Sequence, residues 1–135
     1  MAVPAEVDRR ATLTLVAEPA AAKDARTWIG TLAGSLVSGE RLNDLRLVVT
    51  EIVTNAIRHG DPGGSLVLAA TPKDGYLCVQ VTDDGPGIAP RPRALVPDED
   101  GGFGLFLVER LTRRWGLTRE RGRTRVWFEL DYRTG

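Results

Sequence analysis

Between Asn43 and His59, Leu45, Val48, Val49, Ile52, Val53, Ala56 and Ile57 recur at helical spacing and form one wide apolar face. A helix with such a face has to bury it against a second layer. The flanking segments show what that layer is. Ala11 to Val16 (ATLTLV) alternates as a strand does, and so do the runs from Ser65 to Ala70 and from Tyr76 to Thr82. The last two are joined by PKDG, a hairpin-type turn. Leu117 to Glu120 and Thr124 to Tyr132 read as two closing strands. An earlier helix is opened by Pro19, a residue tolerated at the first helical position. It carries Ala22, Ala25, Ile29, Leu32 and Leu36 at helical spacing, with Trp28 at the edge, until SGE at 38–40 breaks the pattern. A third helix is expected from Phe103 to Trp115, after a loop rich in proline and glycine. The order β-α-α-β-β-loop-α-β-β predicts an α+β fold. The expected form is a two-layer α/β sandwich, with a mixed, mostly antiparallel sheet and three main helices on one face.

The 135 residues are read as a single domain, with residues 1–10 as an N-terminal tail. Eighteen basic residues balance eighteen acidic ones. Sequence-independent nucleic-acid binding needs a cationic surplus, so a direct nucleic-acid partner is not expected. Local arginine clusters remain, at Arg110, Arg113 and Arg114 and at Arg119, Arg121, Arg123 and Arg125. The single cysteine, Cys78, cannot build a disulfide framework and reads as a small buried hydrophobe. There is no signal-like apolar core at the N-terminus and no run of membrane-spanning length. These features lead to the expectation of a cytoplasmic protein without a membrane partner.

The second helix also carries a polar stripe. In TEIVTNAIRHG, Glu51, Asn55 and His59 recur every fourth residue and so share one flank. Charged helix residues are commonly just solvated, and a histidine in the last turn complements the helix dipole. A functional reading also exists. An amide oxygen is a hard ligand suited to Mg²⁺, which completes its shell with waters and phosphates. A carboxylate one turn away can accept a proton from an attacking hydroxyl.

Two glycine loops follow. DDGPG, residues 83–87, ends a strand on which Leu77, Val79, Val81 and Asp83 share a face. If that face is the core, Asp83 is a carboxylate at the rim of an apolar layer and needs a donor. The amino group of an adenine ring would serve, and Gly85 and Gly87 would let the backbone approach a flat ring. A plain turn is the alternative, since such dipeptides mark turns anywhere. GGFGL, residues 101–105, opens the third helix. Free backbone N–H groups there would suit phosphate, although a flexible helix entry reads the same way. It is neither a Walker A loop nor a Rossmann fingerprint. On the last strand Thr124 shares parity with Val126, Phe128 and Leu130, which places another polar group at the rim.

Together, E-x-x-x-N in EIVTNAIRH, D-x-G-x-G in DDGPG and G-x-G-L in GFGL resemble the GHKL, or Bergerat-type, ATPase fold. The likeness spans about Leu42 to Leu130. With EIVTNAIRHG, GLFLV and VWFEL, the chain looks most like the branch of small bacterial anti-sigma factor/serine-protein kinases and their actinobacterial relatives. The resemblance implies ATP and Mg²⁺ as cofactors. Asn55 would bind the metal and Glu51 would be the catalytic carboxylate. Asp83 would hold the adenine amino group, with Gly85, Gly87, Ile88 and Thr124 nearby. Gly102, Phe103, Gly104 and Leu105 would lie along the phosphates. Residues 88–100 would form an ATP lid, with Arg91 and Arg93 in reach of phosphates or a partner. It further implies a homodimer whose partners are a sigma factor and an anti-anti-sigma antagonist protein. The implied activity is serine/threonine phosphorylation of that antagonist, with transcription regulated by partner switching. The alternative is a non-catalytic module that uses nucleotide only to sequester a sigma factor or another regulator.

Overall fold

The computed structural model describes residues 10–60, 63–83 and 104–133. Along the chain they form β1 (Ala11–Val16), α1 (Ala20–Ala33), α2 (Gly39–His59), β2 (Ser65–Pro72), β3 (Tyr76–Asp83), α3 (Gly104–Leu111), β4 (Arg114–Glu120) and β5 (Arg123–Asp131). This is the expected order. The five strands make one sheet in the order β1-β2-β3-β5-β4. A mixed sheet was expected, yet every pairing among the described strands is antiparallel. Two hairpins supply two of these pairings. The longer connection through α3 and β4 brings β5 back beside β3 in the opposite direction.

One face of the sheet and all three helices share a single core. Leu66, Leu68, Ala70, Leu77, Val79, Val81, Phe128 and Leu130 are buried against Ala25 and Ile29 of α1. They also meet Leu45, Val48, Val49, Ile52 and Val53 of α2, and Val108 of α3. The apolar face read for α2 is thus the centre of the fold. In α1 the fully buried line is Ala21, Ala25, Ile29 and Ala33, while Ala22, Trp28, Leu32 and Leu36 pack along its edge. Gly30 is buried where α1 crosses α2. A Cβ there would stand 2.8 Å from the Arg46 guanidinium, so the missing side chain makes room for Arg46.

The start of α2 and the junction between α3 and β4 depart furthest from the sequence expectation, each for a tertiary reason. α2 begins at Gly39, not near Asn43. Ser38 is its N-cap, with no side-chain cap, and is held instead by its N–H donating to the Tyr132 carbonyl at 3.1 Å. Arg41, 9% exposed, then anchors the first turn. Its guanidinium donates to the carbonyls of Asp131 (3.2 Å) and Leu111 (3.1 Å) and to Asp44 Oδ2 (2.8 Å). α3 ends at Leu111, and Trp115 belongs to β4. Beyond Leu111 the chain is drawn to β5: Arg113 N–H donates to the Glu129 carbonyl at 2.8 Å. Arg114 clasps the Glu129 carboxylate through Nε (3.1 Å) and Nη2 (2.9 Å). Gly116 follows because a Cβ there would lie 2.6 Å from the Trp127 indole. The β4–β5 turn is Arg121 and Gly122, with φ of 55° and 80°, the left-handed pair that a two-residue hairpin needs.

Cys78 also departs from its reading. It is half-buried on the sheet face turned away from the helices, directly opposite Glu129. Burial pushes its thiol pKa up, and the Glu129 charge adds to this. A thiol so placed holds its proton and is a poor nucleophile.

Two expectations test this core. Phe128 has no exposed surface, so Phe128→Ala should cost about 3–5 kcal/mol in urea unfolding; a loss below about 1 kcal/mol would contradict its central place. Glu129 is 8% exposed, and its hydrogen bond from Arg114 holds its pKa below the ordinary carboxylate range. The stabilisation is therefore fully present above the ordinary glutamate pKa, about 4.3, and is lost as pH falls through the lower folded-state value. Glu129→Gln should lower the unfolding midpoint at neutral pH, with the gap to wild type closing in acid. A gap that stays constant into acid would contradict the pairing.

Candidate functional site

The C-terminal ends of α2 and β3 meet at one end of the core. In β3 the burial alternates strictly, and Asp83 closes the buried series Leu77, Val79, Val81 at 7% exposed. Antiparallel register puts Thr124, 9% exposed, directly beside it on β5 and Leu66, fully buried, directly beside it on β2. Both polar groups were expected at the rim of the apolar layer, and the structure brings them together as a cross-strand pair. Arg119, exposed on β4, is the partner of Thr124 and completes the row. Sequence reading placed Arg119 only in a basic cluster. Its signal was parity with Leu117, which register turns into a place beside Thr124.

Gly60 closes this corner from the helix side. Its N–H donates to the Ala56 carbonyl at 2.9 Å and caps α2. Its φ of −95° and ψ of −159° are extended backbone, open to any residue. A left-handed glycine cap is therefore not its role. Space is: a Cβ at Gly60 would run into the Asp83 carboxylate and stand 2.5 Å from the Ala56 oxygen. No periodicity in the sequence announced this approach.

Glu51 and Asn55 lie on α2 about one turn apart, both half-buried. Asn55 falls on the flank where Arg41 reaches the Leu111 carbonyl, and so on the side of α2 that faces α3. Arg46, which meets α1, is on the other flank. Neither Glu51 nor Asn55 makes a side-chain hydrogen bond or ion pair among the described residues. Their polar atoms are thus available to a ligand or solvent. Gly104 is the first residue of α3, and Leu105 follows within it. Gly85, Gly87, Ile88, Gly102, Phe103, the 88–100 segment with Arg91 and Arg93, and residues 1–9 lie outside the described residues. His59 ends α2.

The donor set bears on what could be held here. Among the described residues no three His, Cys, Asp or Glu side chains cluster as a metal cage. One amide oxygen and one nearby carboxylate cannot bind Mg²⁺ unaided, but they suit a Mg²⁺ that arrives on phosphates and keeps its waters. A buried carboxylate beside a hydroxyl suits the amino edge of a base. The residues present fit a metal-bound nucleotide. No helix among the described residues is long and apolar enough to cross a membrane.

Comparison with known proteins is consistent with this geometry. Residues 15–130 match the histidine kinase-like ATPase domain family. The anti-sigma F factor of Clostridium acetobutylicum is 30% identical over 109 residues, which cover 73% of this chain and 76% of that protein. The anti-sigma F factor of Shouchella clausii is 39% identical over 80 residues, 52% of this chain and 55% of that one. Among solved structures, the RsbU and RsbW domains of a Mycobacterium tuberculosis protein superpose with a TM-score of 0.70 at 22% identity. The match covers 90% of this chain and 32% of that one, so the chain spans about a third of that protein's length. The Acinetobacter baumannii histidine kinase AdeS superposes at 0.55, with 14% identity, 89% of this chain and 68% of that one covered. These two likenesses speak for the fold alone. The family match runs from the end of β1 to the end of β5, and one relative is matched over three quarters of its length. The chain therefore belongs to the histidine kinase-like ATPase family, alongside the anti-sigma F factors.

Proposed function

We propose that this protein is an ATP- and Mg²⁺-dependent anti-sigma factor that phosphorylates an antagonist protein on serine or threonine. One observation carries the reading. A buried Asp83–Thr124 pair lies at the end of the helix whose half-buried Glu51 and Asn55 have no partner among the described residues. Asp83 accepts a hydrogen bond from the adenine amino group, and Asn55 supplies its amide oxygen to the Mg²⁺ that ATP brings. Gly85, Gly87 and Ile88 are assigned to binding of the base, and Gly102, Phe103, Gly104 and Leu105 to binding of the phosphates. Glu51 accepts the proton of the antagonist's hydroxyl as its oxygen bonds to the γ-phosphorus. The β–γ bridging bond breaks and ADP leaves. Electrostatic positioning rather than covalent catalysis accounts for the rate.

The name of the relatives, anti-sigma F factor, supports the regulatory part of this reading. The protein holds a sigma factor, unphosphorylated antagonist displaces it, and phosphorylation of the antagonist restores the hold. It acts in the cytoplasm as a homodimer, without direct nucleic-acid contact.

Purified protein with Mg-ATP and its cognate antagonist should yield phosphorylated antagonist. Glu51→Gln should slow this by about 10²- to 10⁴-fold while ATP affinity stays close to wild type. Transfer by Glu51→Gln at the wild-type rate would remove Glu51 from the chemistry. Absence of transfer by wild type, with sigma factor still bound, would favour a non-catalytic binding module. In calorimetry with and without Mg²⁺, Asn55→Ala should lose the metal-dependent part of ATP affinity. Equal Mg²⁺ dependence in wild type and variant would exclude Asn55 as the ligand.

A further inference from the structure

A second cleft lies between α1 and α2. Its volume is about 390 Å³, and it is lined by Arg26, Thr27, Gly30 and Thr31 of α1 and by Arg46 of α2. It opens to solvent past the exposed Arg26, Thr27 and Thr31. Arg46 is held in place there. Its Nε and Nη2 stand 2.8 Å, and its Cζ 3.2 Å, from the point where a Gly30 Cβ would be. Gly30 is buried, so the Arg46 guanidinium lies half-buried against α1 instead of reaching into solvent. Arg41 and Arg114 are each met by a carboxylate. Arg26 and Arg46 have no side-chain hydrogen bond, ion pair or ring contact among the described residues. No acidic residue stands three or four places from either on its helix, and Lys23, one turn before Arg26, adds a third positive charge. The hydroxyls in the cleft are also uncommitted. Thr50 and Thr112 turn theirs back onto helix carbonyls, at 2.7 and 2.6 Å. Thr27 and Thr31, one turn apart on α1, make no such bond among the described residues.

The donors decide what the cleft can hold. A guanidinium carries five N–H donors and no acceptor, and each threonine hydroxyl can donate once more. Such a set needs a ligand rich in acceptors, with enough negative charge to meet two cations. A carboxylate brings one charge and two oxygens. A phosphoryl group brings a charge of about −1.5 to −2 and three strong acceptor oxygens, and arginine forks meet it through paired hydrogen bonds. We infer that the α1–α2 cleft is a phosphoryl-binding site, with Arg26 and Arg46 on either side of the group and Thr27 and Thr31 as further donors. The ligand is free phosphate or a phosphomonoester whose remainder projects through the open side. Arg46 is already ordered by its seat on Gly30, so less freedom is lost when the anion binds. Arg46 and Asn55 point to opposite flanks of α2, nine residues and two and a half turns apart. The site is therefore separate from the one read for nucleotide and does not depend on that reading. An anion held there ties α1 to the helix that carries Glu51 and Asn55.

The test is a titration of the full chain with inorganic phosphate at constant ionic strength, followed through the backbone amide signals in NMR. Wild type should show saturable shifts at Thr27, Gly30 and Thr31 at millimolar phosphate. Arg26→Ala and Arg46→Ala should each weaken phosphate by about tenfold or more, the scale of one hydrogen bond to a charged group. Arg26 is exposed, so its variant tests the site without disturbing the core. Gly30→Ala keeps both charges but fills the seat of the Arg46 guanidinium, and it should weaken phosphate too. Acetate at the same ionic strength should leave these amides unmoved. Glycerol 3-phosphate separates the two sources. Affinity equal to that of phosphate assigns the phosphoryl group alone, and tighter binding assigns an ester. An absence of saturable shifts at these amides with phosphate overturns the inference. So does an equal response to acetate, or wild-type phosphate affinity in both arginine variants. None of these outcomes bears on nucleotide binding at the other flank of α2.

Discussion

The fold depends on burying one side of α2 against the inner face of β3 and β5. Leu45, Val48, Val49 and Val53 have no exposed surface, and neither do Val79, Phe128 and Leu130 on the sheet. At roughly 1.5–3 kcal/mol per fully buried large apolar side chain, this seam is a major source of stability. It also fixes the rotation of α2 about its axis. With Val49 and Ile52 pointing at the sheet, Arg41 and Asn55 must fall on the flank toward α3 and Arg46 on the flank toward α1. The polar stripe is aimed by the apolar face, because both belong to one rigid helix.

Polar ties then finish the two ends of the seam differently. At the end where α2 begins, Arg41 is a buried charge held by the carbonyls of Asp131 and Leu111, while Glu129, on the outer face of the sheet, is held by Arg114. Breaking such a pair leaves an uncompensated buried charge, which is why these groups define boundaries of α2 and β4. At the other end, Asp83 and Thr124 are buried on the strands and Gly60 caps the helix above them. The first end is satisfied within the chain. The second suits a ligand, with Glu51 and Asn55 lacking partners among the described residues on the same helix. A fold of the histidine kinase-like ATPase family thus separates a structural end from a binding end.

Much of this was legible in the residues. Strict alternation along β3 placed Asp83 on the core face, and parity on β5 placed Thr124 there too, because strand geometry has a period of two. The spacing of Glu51 and Asn55 put them on one flank, because a helix turns by a constant angle. The boundaries were less legible. SGE at 38–40 looks like a breaker, yet Gly39 and Glu40 are helical because Ser38 and Arg41 are held by groups about ninety residues away. Trp115 continues the helical apolar pattern, yet lies in β4 because the Glu129 carboxylate and carbonyl draw Arg113 and Arg114 into the sheet.

By itself the sequence determined the element order, the faces each element would bury and the family, since all of these are set by local periodicity and by motifs in a given order. Only the tertiary structure decided which rim residues became neighbours. That Asp83 sits beside Thr124 depends on the register between two strands that have α3 and β4 between them in the chain. That Gly60 is a glycine for lack of space, not for a left-handed turn, depends on the approach of a helix cap to a strand end. Such contacts join residues distant in the chain, and spacing along a sequence carries no information about distance across a core.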